Sequence, residues 1–420
     1  MLSVIEIITA IAREMLDTFF LNYLFVFLCV IIIIAVRTQY ERYTELRGEM
    51  GGLPSRSLRE VTEEIILTGL VAGFIGSFAV IAAGISIEQD AVRYLFYLMC
   101  LLLLINLRFL CISFAVGILS AISLIFGYPR IDIPSVLGLV AILHFIEAVL
   151  VYLGKGRDSI PVFIRHRGEI AGAYLVRKFW IIPIVFLTFL SGNAAGILSG
   201  QSAGWWMLFR PETLKTGAFA LGMDCLVAVL GYSDLAITRH PGKKARETAE
   251  LLFCYSALLM TLAIASISIR WLVYVGTVFC VAAHEGIYIY GKHVEKKGVP
   301  LYIPEKRGLK VFEVLPGSHA EKMGISRGDV ILNVNGNDIQ TDDGVNAALQ
   351  DYPTFVWVVV KTWEGIEKTL EYWCYNGGCD RLGVISVPRE AEITYNIDRF
   401  EHMSIIKNIV TRFRGMNKSV

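Results

Sequence analysis

Charge is scarce in this chain. Only 18% of its 420 residues are Asp, Glu, Lys or Arg, against 55% hydrophobic, where soluble domains carry about 25% charge. That deficit excludes a single water-soluble globule. Basic and acidic residues nearly cancel, 39 against 38, so no net field points to nucleic acid or to an acidic ligand. Cysteine supplies no framework. Six of the eight, Cys29, Cys100, Cys111, Cys225, Cys254 and Cys280, lie in apolar runs, where a free thiol behaves as a small hydrophobe. Cys374 and Cys379 have four residues between them and no His or third Cys close in sequence. That spacing makes a poor zinc site and no disulfide scaffold, which suits a reducing compartment.

Long apolar runs are what the chain has in abundance. A bilayer core takes about 20 apolar residues per helix, and runs of that order fall at about 18–36, 65–87, 91–107, 109–128, 133–153, 179–199, 216–237, 249–268 and 271–290. They predict a polytopic α-helical membrane bundle over residues 1–290 with eight or nine spans. Only Asn106, Leu107 and Arg108 separate the third run from the fourth, so that pair reads as two spans or as one re-entrant pair. The first run lacks a basic leader and is followed by Arg37 and Arg42, unlike a cleaved signal peptide. On the nine-span count nineteen Lys and Arg follow the odd-numbered runs and six lie on the opposite side. The positive-inside rule then puts the C-terminal half in the cytoplasm on either count, with the N-terminus outside for nine spans and inside for eight.

The stretch Glu147-Ala-Val-Leu-Val-Tyr-Leu-Gly-Lys155 is echoed by His284-Glu-Gly-Ile-Tyr-Ile-Tyr-Gly-Lys292, and each is followed by a Pro-aliphatic-aromatic-Ile step. Runs two to five and six to nine would then be parallel repeats. The same residue types also simply suit a membrane interface.

Past residue 298 the pattern changes to short alternating strands and turns. Pro316-Gly317-Ser318 marks a turn, His319 to Met323 a single helical turn stopped at Gly324, Gly328-Asp329 a turn into Val330 to Leu332, and Asn335-Gly336 a hairpin. Thr341 to Gln350 reads as a helix, and Thr354 to Lys361 with Lys368 to Tyr372 as closing strands. With these turns in register, residues 299–373 resemble a bacterial PDZ domain, a small α+β module, joined to the bundle by a linker at 291–298. The resemblance implies that an extended C-terminal or internal peptide adds as a strand to the sheet beside the helix. Gly308, Leu309, Lys310 and Val311 would form the carboxylate loop, Val311, Phe312 and Glu313 the pairing strand, and Val345, Ala348 and Leu349 the side-chain pocket. Residues 374–420 form a C-terminal extension. In it Phe400, Met403, Ile406, Val410 and Phe413 recur at helical spacing among Arg399, Lys407, Arg412 and Arg414, a basic amphipathic helix suited to an anionic leaflet or to docking on the protein.

Catalytic patterns are weak. His284-Glu285 invites comparison with intramembrane metalloproteases, but zinc binding on a helix needs histidines at i and i+4, and position 288 is Tyr. Asp224 and Asp234 share one run instead of neighbouring ones, and neither a Gly-Lys-Ser phosphate loop nor a serine nucleophile motif is found. No catalytic residue, metal site or cofactor is therefore assigned. His144, Glu147, Asp224, His284 and Glu285 are costly in lipid and are expected to face the bundle interior, pairing or lining a cavity; His144 and Glu147, three apart, share a helix face. Two functions remain: a membrane scaffold collecting protein partners through the PDZ groove, or a transporter or intramembrane protease regulated by it. The order of a multi-span region and one C-terminal PDZ resembles the MinJ-type topological determinants of cell division in Gram-positive bacteria. The stretch from the His-Glu helix end through Gly-Lys into the PDZ is shared as well. That resemblance implies a multi-pass scaffold in the cell membrane, with division proteins and the bilayer as partners and no enzymatic activity.

Overall fold

The computed structural model describes residues 4–21, 57–105, 111–157, 159–190, 220–351, 353–374 and 378–390, with a few isolated positions between them. Helices α1 (Val4–Leu21), α2 (Leu58–Ala83), α3 (Gln89–Ile105), α4 (Ile112–Phe126) and α5 (Ile133–Gly154) come first. A sheet of β1 (Ile160–His166), β2 (Glu169–Leu190), β3 (Leu198–Ser199) and β4 (Ala220–Ala236) follows, and then α6 (Pro241–Ser268) and α7 (Leu272–Lys297). Among the described residues α2, α5, α6 and α7 are long and apolar enough to cross a membrane. Leu67, Val71, Ile75 and Phe78 form an outward stripe on α2, and Phe145, Val149 and Tyr152 one on α5. Apolar faces of that extent are at home in lipid and not in water. The protein is a membrane protein.

Two of the expected spans are not helices. Of these runs, residues 179–190 lie in β2, Leu198–Ser199 is β3 and Ala220–Ala236 is β4; β2 and β4 pair antiparallel from Tyr174 with Ala236 to Leu190 with Ala220, while β1 pairs with the first part of β2. Hydropathy reports apolarity and is blind to backbone state. The run Phe179-Trp180-Ile181-Ile182-Pro183-Ile184-Val185-Phe186 is aromatic and β-branched, and Pro183 lacks the N–H a helix interior would use. Side chains alternate as a sheet demands. Val176, Trp180, Ile182, Ile184 and Phe186 join the main helical core, while Val185 and Leu187 pack with Ile11 and Met15 of α1. With strands in these places, a four-helix repeat of runs two to five does not exist.

Beyond Leu175 no strand of the described chain flanks β2 on the side away from β4, and helix α2 lies along it. A Cβ at Gly69 would overlap the carbonyl oxygen of Ile181, and one at Gly73 that of Pro183. The two backbones therefore meet directly. Ser77 Oγ donates to the Gly73 carbonyl at 2.6 Å and accepts from the Val185 N–H at 2.9 Å, so a strand group with no ladder partner is satisfied by a side chain.

Helices α3 and α4 begin and end at the same end of the bundle. Tyr94 in α3 meets Tyr128 just past α4 through their hydroxyls. Cys111, the N-cap of α4, lies beside His144, eleven residues into α5 and so about 16 Å along it at 1.5 Å per residue.

The predicted linker at 291–298 is instead the end of α7, which runs to Lys297. The C-terminal module comprises β5 (Leu309–Val314), α8 (His319–Met323), β6 (Val330–Val334), β7 (Asn337–Asp338), α9 (Asp342–Ala348), β8 (Phe355–Lys361), β9 (Glu367–Trp373) and β10 (Val384–Ser386). Its sheet order is β10-β5-β6-β8-β9, with β7 on β6. The turn signals hold: Ser318 Oγ caps α8 by accepting from Glu321 N at 3.2 Å, Gly324 ends it at φ +86°, and Thr341 caps α9. Strand β10, however, comes from the segment expected to be an extension outside the module. The module rests on the base of the β2–β4 hairpin. The Tyr174 hydroxyl lies 3.0 Å from the Phe312 carbonyl, and the rings of Tyr174, Tyr302 and Phe312 meet edge-on or tilted with centroids 4.8 to 5.9 Å apart. Burial and the Glu313 charge push the Tyr174 phenol well above its ordinary pKa, so it stays a donor.

Candidate functional site

Three separate elements bring polar side chains to one point inside the bundle. Cys111 enters at the start of α4, His144 and Glu147 from α5, and His284 from α7. Cys111 Sγ lies 3.2 Å from His144 Nε2 and 3.6 Å from His284 Nε2, and Glu147 Oε2 is 3.8 Å from His144 Nε2. His144 is completely buried and its Nδ1 is 2.8 Å from the Val140 carbonyl, which fixes Nδ1 as the protonated nitrogen. Tyr255 and Phe114 wall the imidazoles edge-on. A cavity of about 290 Å³ reaches Cys111, Glu147 and His284 and extends between β4, α6 and α7 to Asp234, Lys244 and Glu295 near the C-terminal module.

Of the polar residues expected inside the membrane, His144, Glu147 and His284 thus come together, with the half-buried Glu285 next in chain to His284. Asp224 does not join them. It sits on β4, where the neighbouring Cys225 packs with Ile11 and Met15 of α1. Cys111, assigned from sequence to the apolar filling, is the residue that reasoning missed. Its contacts lie 33 and 173 residues away, beyond any local spacing; the available hint was two of only seven histidines placed in apolar runs.

In the module, β5 was expected to offer its edge to a peptide. Among the described residues both of its flanks are occupied. Leu309 and Lys310 pair with β6, while Val311, Glu313 and Val314 pair with β10. Phe312 is completely buried against Tyr174 and Tyr302, and Glu313 is ion-paired with Arg327, whose guanidinium stands 5.8 Å over the Tyr174 ring. Gly308 adopts φ +91°, and a Cβ there would lie 2.6 Å from Val330 Cγ1 and 2.8 Å from the Ile331 carbonyl. This glycine lies packed against β6. Leu309 is buried in the module core and the Lys310 ammonium sits 4.8 Å over the Trp363 ring. Gly308 to Glu313 are thus held by contacts within the module and with the base of the hairpin.

Strand β10 instead stands at the end of the described sheet. It is entered through Arg381-Leu382-Gly383, with Gly383 at φ +80° against Ser318. The Leu382 carbonyl accepts from Ala320 N at 2.8 Å and the Gly383 carbonyl from Leu315 N at 2.9 Å. Val384 packs on the cluster that holds Val345 and Leu349, with Ala348 at its margin, and Ser386 Oγ donates to the Asp342 carboxylate at 2.6 Å. So β10 runs beside α9, the helix expected to line the pocket. Burial raises the Asp342 pKa, an effect the Ser386 hydrogen bond opposes.

Residues 311–361 match the PDZ domain family. The module is a PDZ domain. The match starts inside β5 and stops at the end of β8, so β10 lies beyond it. Over 262 residues the chain is 24% identical to the cell division topological determinant MinJ of Bacillus subtilis, covering 62% of this chain and 63% of the relative. The chain thus spans somewhat under two thirds of that relative's length. A second relative, HhoA of Synechocystis, named as a serine protease, is 55% identical over 40 residues, 10% of each chain. This chain is a PDZ-domain membrane protein resembling the MinJ-type determinants. To the Cys374 and Cys379 pair, read from sequence as a poor zinc site, the fold adds His319: the three cluster, with Cys374 Sγ 3.8 Å from His319 Nδ1. Burial and the Cys374 thiol push the Cys379 thiol up to about 12. The amphipathic helix expected at 399–414 lies outside the described residues.

Proposed function

We propose that this protein is an integral membrane scaffold of cell division whose cytoplasmic PDZ domain captures peptide segments of partner proteins along β10. The observation that carries the reading is the position of β10: a short end strand, entered through a positive-φ glycine, lying beside α9. Unpaired backbone groups on such a strand accept an added strand, and the Leu382-Gly383-Val384 turn presents N–H groups to a peptide carboxylate. Val384, Val345 and Ala348 supply apolar contact for the incoming side chains.

Orientation follows from parity. Two strands in place of two helices cross the membrane as often as the helices would, so Lys155, Arg157, Arg165, Arg167, Arg239, Lys243, Lys296 and Lys297 all stay at the end of the bundle that carries the PDZ domain. A fluorescent protein fused after Val420 is expected to glow and a phosphatase fused there to be inactive; the reverse pair defeats the orientation. Proximity labelling from the same site in the native host is expected to enrich division proteins, whereas enrichment of a transport or protease complex alone defeats the scaffold. Val384→Asp puts a charge beside the peptide path and is expected to lower partner capture at least about tenfold, equivalent to about 1.4 kcal/mol. Glu364→Gln, in the distal β8–β9 turn, is expected to leave capture unchanged.

A further inference from the structure

We propose that Cys111, His144 and His284 bind a divalent transition-metal ion of the zinc class inside the membrane bundle, with Glu147 at the fourth position. Ligand atoms on a tetrahedral zinc, with sulfur at about 2.3 Å and nitrogen at about 2.0 Å, stand roughly 3.5 Å apart. The two sulfur-to-nitrogen separations, 3.2 and 3.6 Å, match that value, and all three donor atoms lie within 4.8 Å of one another.

The hydrogen bonds point to a converging ligand set and away from a proton relay. In a thiol–imidazole–carboxylate relay the thiol and the carboxylate hold opposite nitrogens of one ring. Here the thiol and the carboxylate both approach Nε2 of His144, while Nδ1 is turned to the Val140 carbonyl. A second-sphere carbonyl on one nitrogen with the other nitrogen aimed at a common centre is the arrangement of a metal-bound histidine. His284 repeats the aim through its own Nε2. Ser113 Oγ, 3.1 Å from Cys111 Sγ, is placed to donate to a thiolate.

Charge makes the same case. A thiolate and a carboxylate enclosed by apolar helices are costly as anions. A dication with one thiolate, one carboxylate and two neutral imidazoles has no net charge. The cavity of about 290 Å³ supplies access: it borders Cys111, Glu147 and His284 at one end, and its other end carries the carboxylates Asp234, Glu247 and Glu295. Thiolate and imidazole together favour zinc, cobalt or copper over magnesium or calcium.

The test uses the full chain purified in detergent, stripped with a chelator and titrated with cobalt(II). The proposal predicts a thiolate-to-cobalt charge-transfer band in the near ultraviolet that is present in the difference between the unmodified protein and Cys111→Ser; any band from the PDZ thiols cancels in that difference. His144→Gln and His284→Gln are expected to weaken binding at least about tenfold, and Asp224→Asn to leave it unchanged. Zinc measured in protein purified without chelator is expected to fall by one equivalent per chain in Cys111→Ser. If the unmodified protein, monodisperse in detergent, acquires no such band, or if the band is equal in Cys111→Ser, the site does not bind metal. The first of these outcomes needs no variant, so misfolding of a substituted chain cannot hide a failure.

Discussion

Among the described residues two sheets meet the same problem in different solvents. In the PDZ domain, β9 and β10 end the described sheet in water, where an unpaired N–H or C=O loses little because water replaces the missing partner. The β2–β4 hairpin has no such recourse. Packed among apolar helices, the side of β2 facing away from β4 is closed by α2, whose Gly69 and Gly73 let the helix backbone lie on the strand, and by Ser77, which hydrogen-bonds Val185 N. An edge in water is thus free to recognise a peptide, whereas an edge at membrane depth must be sealed. Small residues on the covering helix do the sealing.

Gly69→Val should break the comparison most severely. Its Cβ has no room against the Ile181 carbonyl, and overpacking that displaces backbone costs more than about 3 kcal/mol. The expected result is loss of folded protein from the membrane, read by protease resistance. Ser77→Ala should cost about 1 to 3 kcal/mol by leaving Val185 N without its partner, a lowered melting temperature in detergent with the fold retained. If Ser77→Ala is silent, the edge is sealed by packing alone. Tyr174→Phe removes the hydroxyl that joins hairpin to PDZ domain and should cost about 1 kcal/mol; faster proteolytic release of the PDZ domain would register it.

The smallest effect belongs to Asp342, whose folded pKa is raised by burial. A raised carboxyl pKa means that the fold holds the proton more tightly than the unfolded chain does. The contribution therefore works against stability at neutral pH, diminishes as pH falls through the folded pKa, and is gone below the unfolded value of about 3.9. Asp342→Asn should flatten that part of the melting profile by less than about 1 kcal/mol, and an unchanged pH profile would place the carboxyl in water.

Legibility divided along the same line as the two sheets. Turn chemistry is local, so the PDZ turns at Ser318, Gly324, Asn335-Gly336 and Thr341 were readable in order. Strand β10 was not, because Val384 to Ser386 is too short to announce itself and its partner Val311 lies more than seventy residues earlier. Without β10 in view, β5 looked like an open edge, and the peptide was expected there for that reason. In the bundle, the apolar runs announced lipid but not backbone state, and Pro183 with its β-branched neighbours was the overlooked sign of a strand.

The sequence by itself determined that this chain lives in a membrane, that a PDZ domain follows its last apolar helix, and which charges gather at that end, since apolar length, turn residues and loop charge are properties of short segments. Tertiary structure alone decided that two apolar runs pair as strands, that a tail strand occupies the flank of β5, and that Cys111, His144 and His284 meet. Each of those depends on contacts between residues far apart in the chain, and such contacts leave no periodicity in the segments that make them.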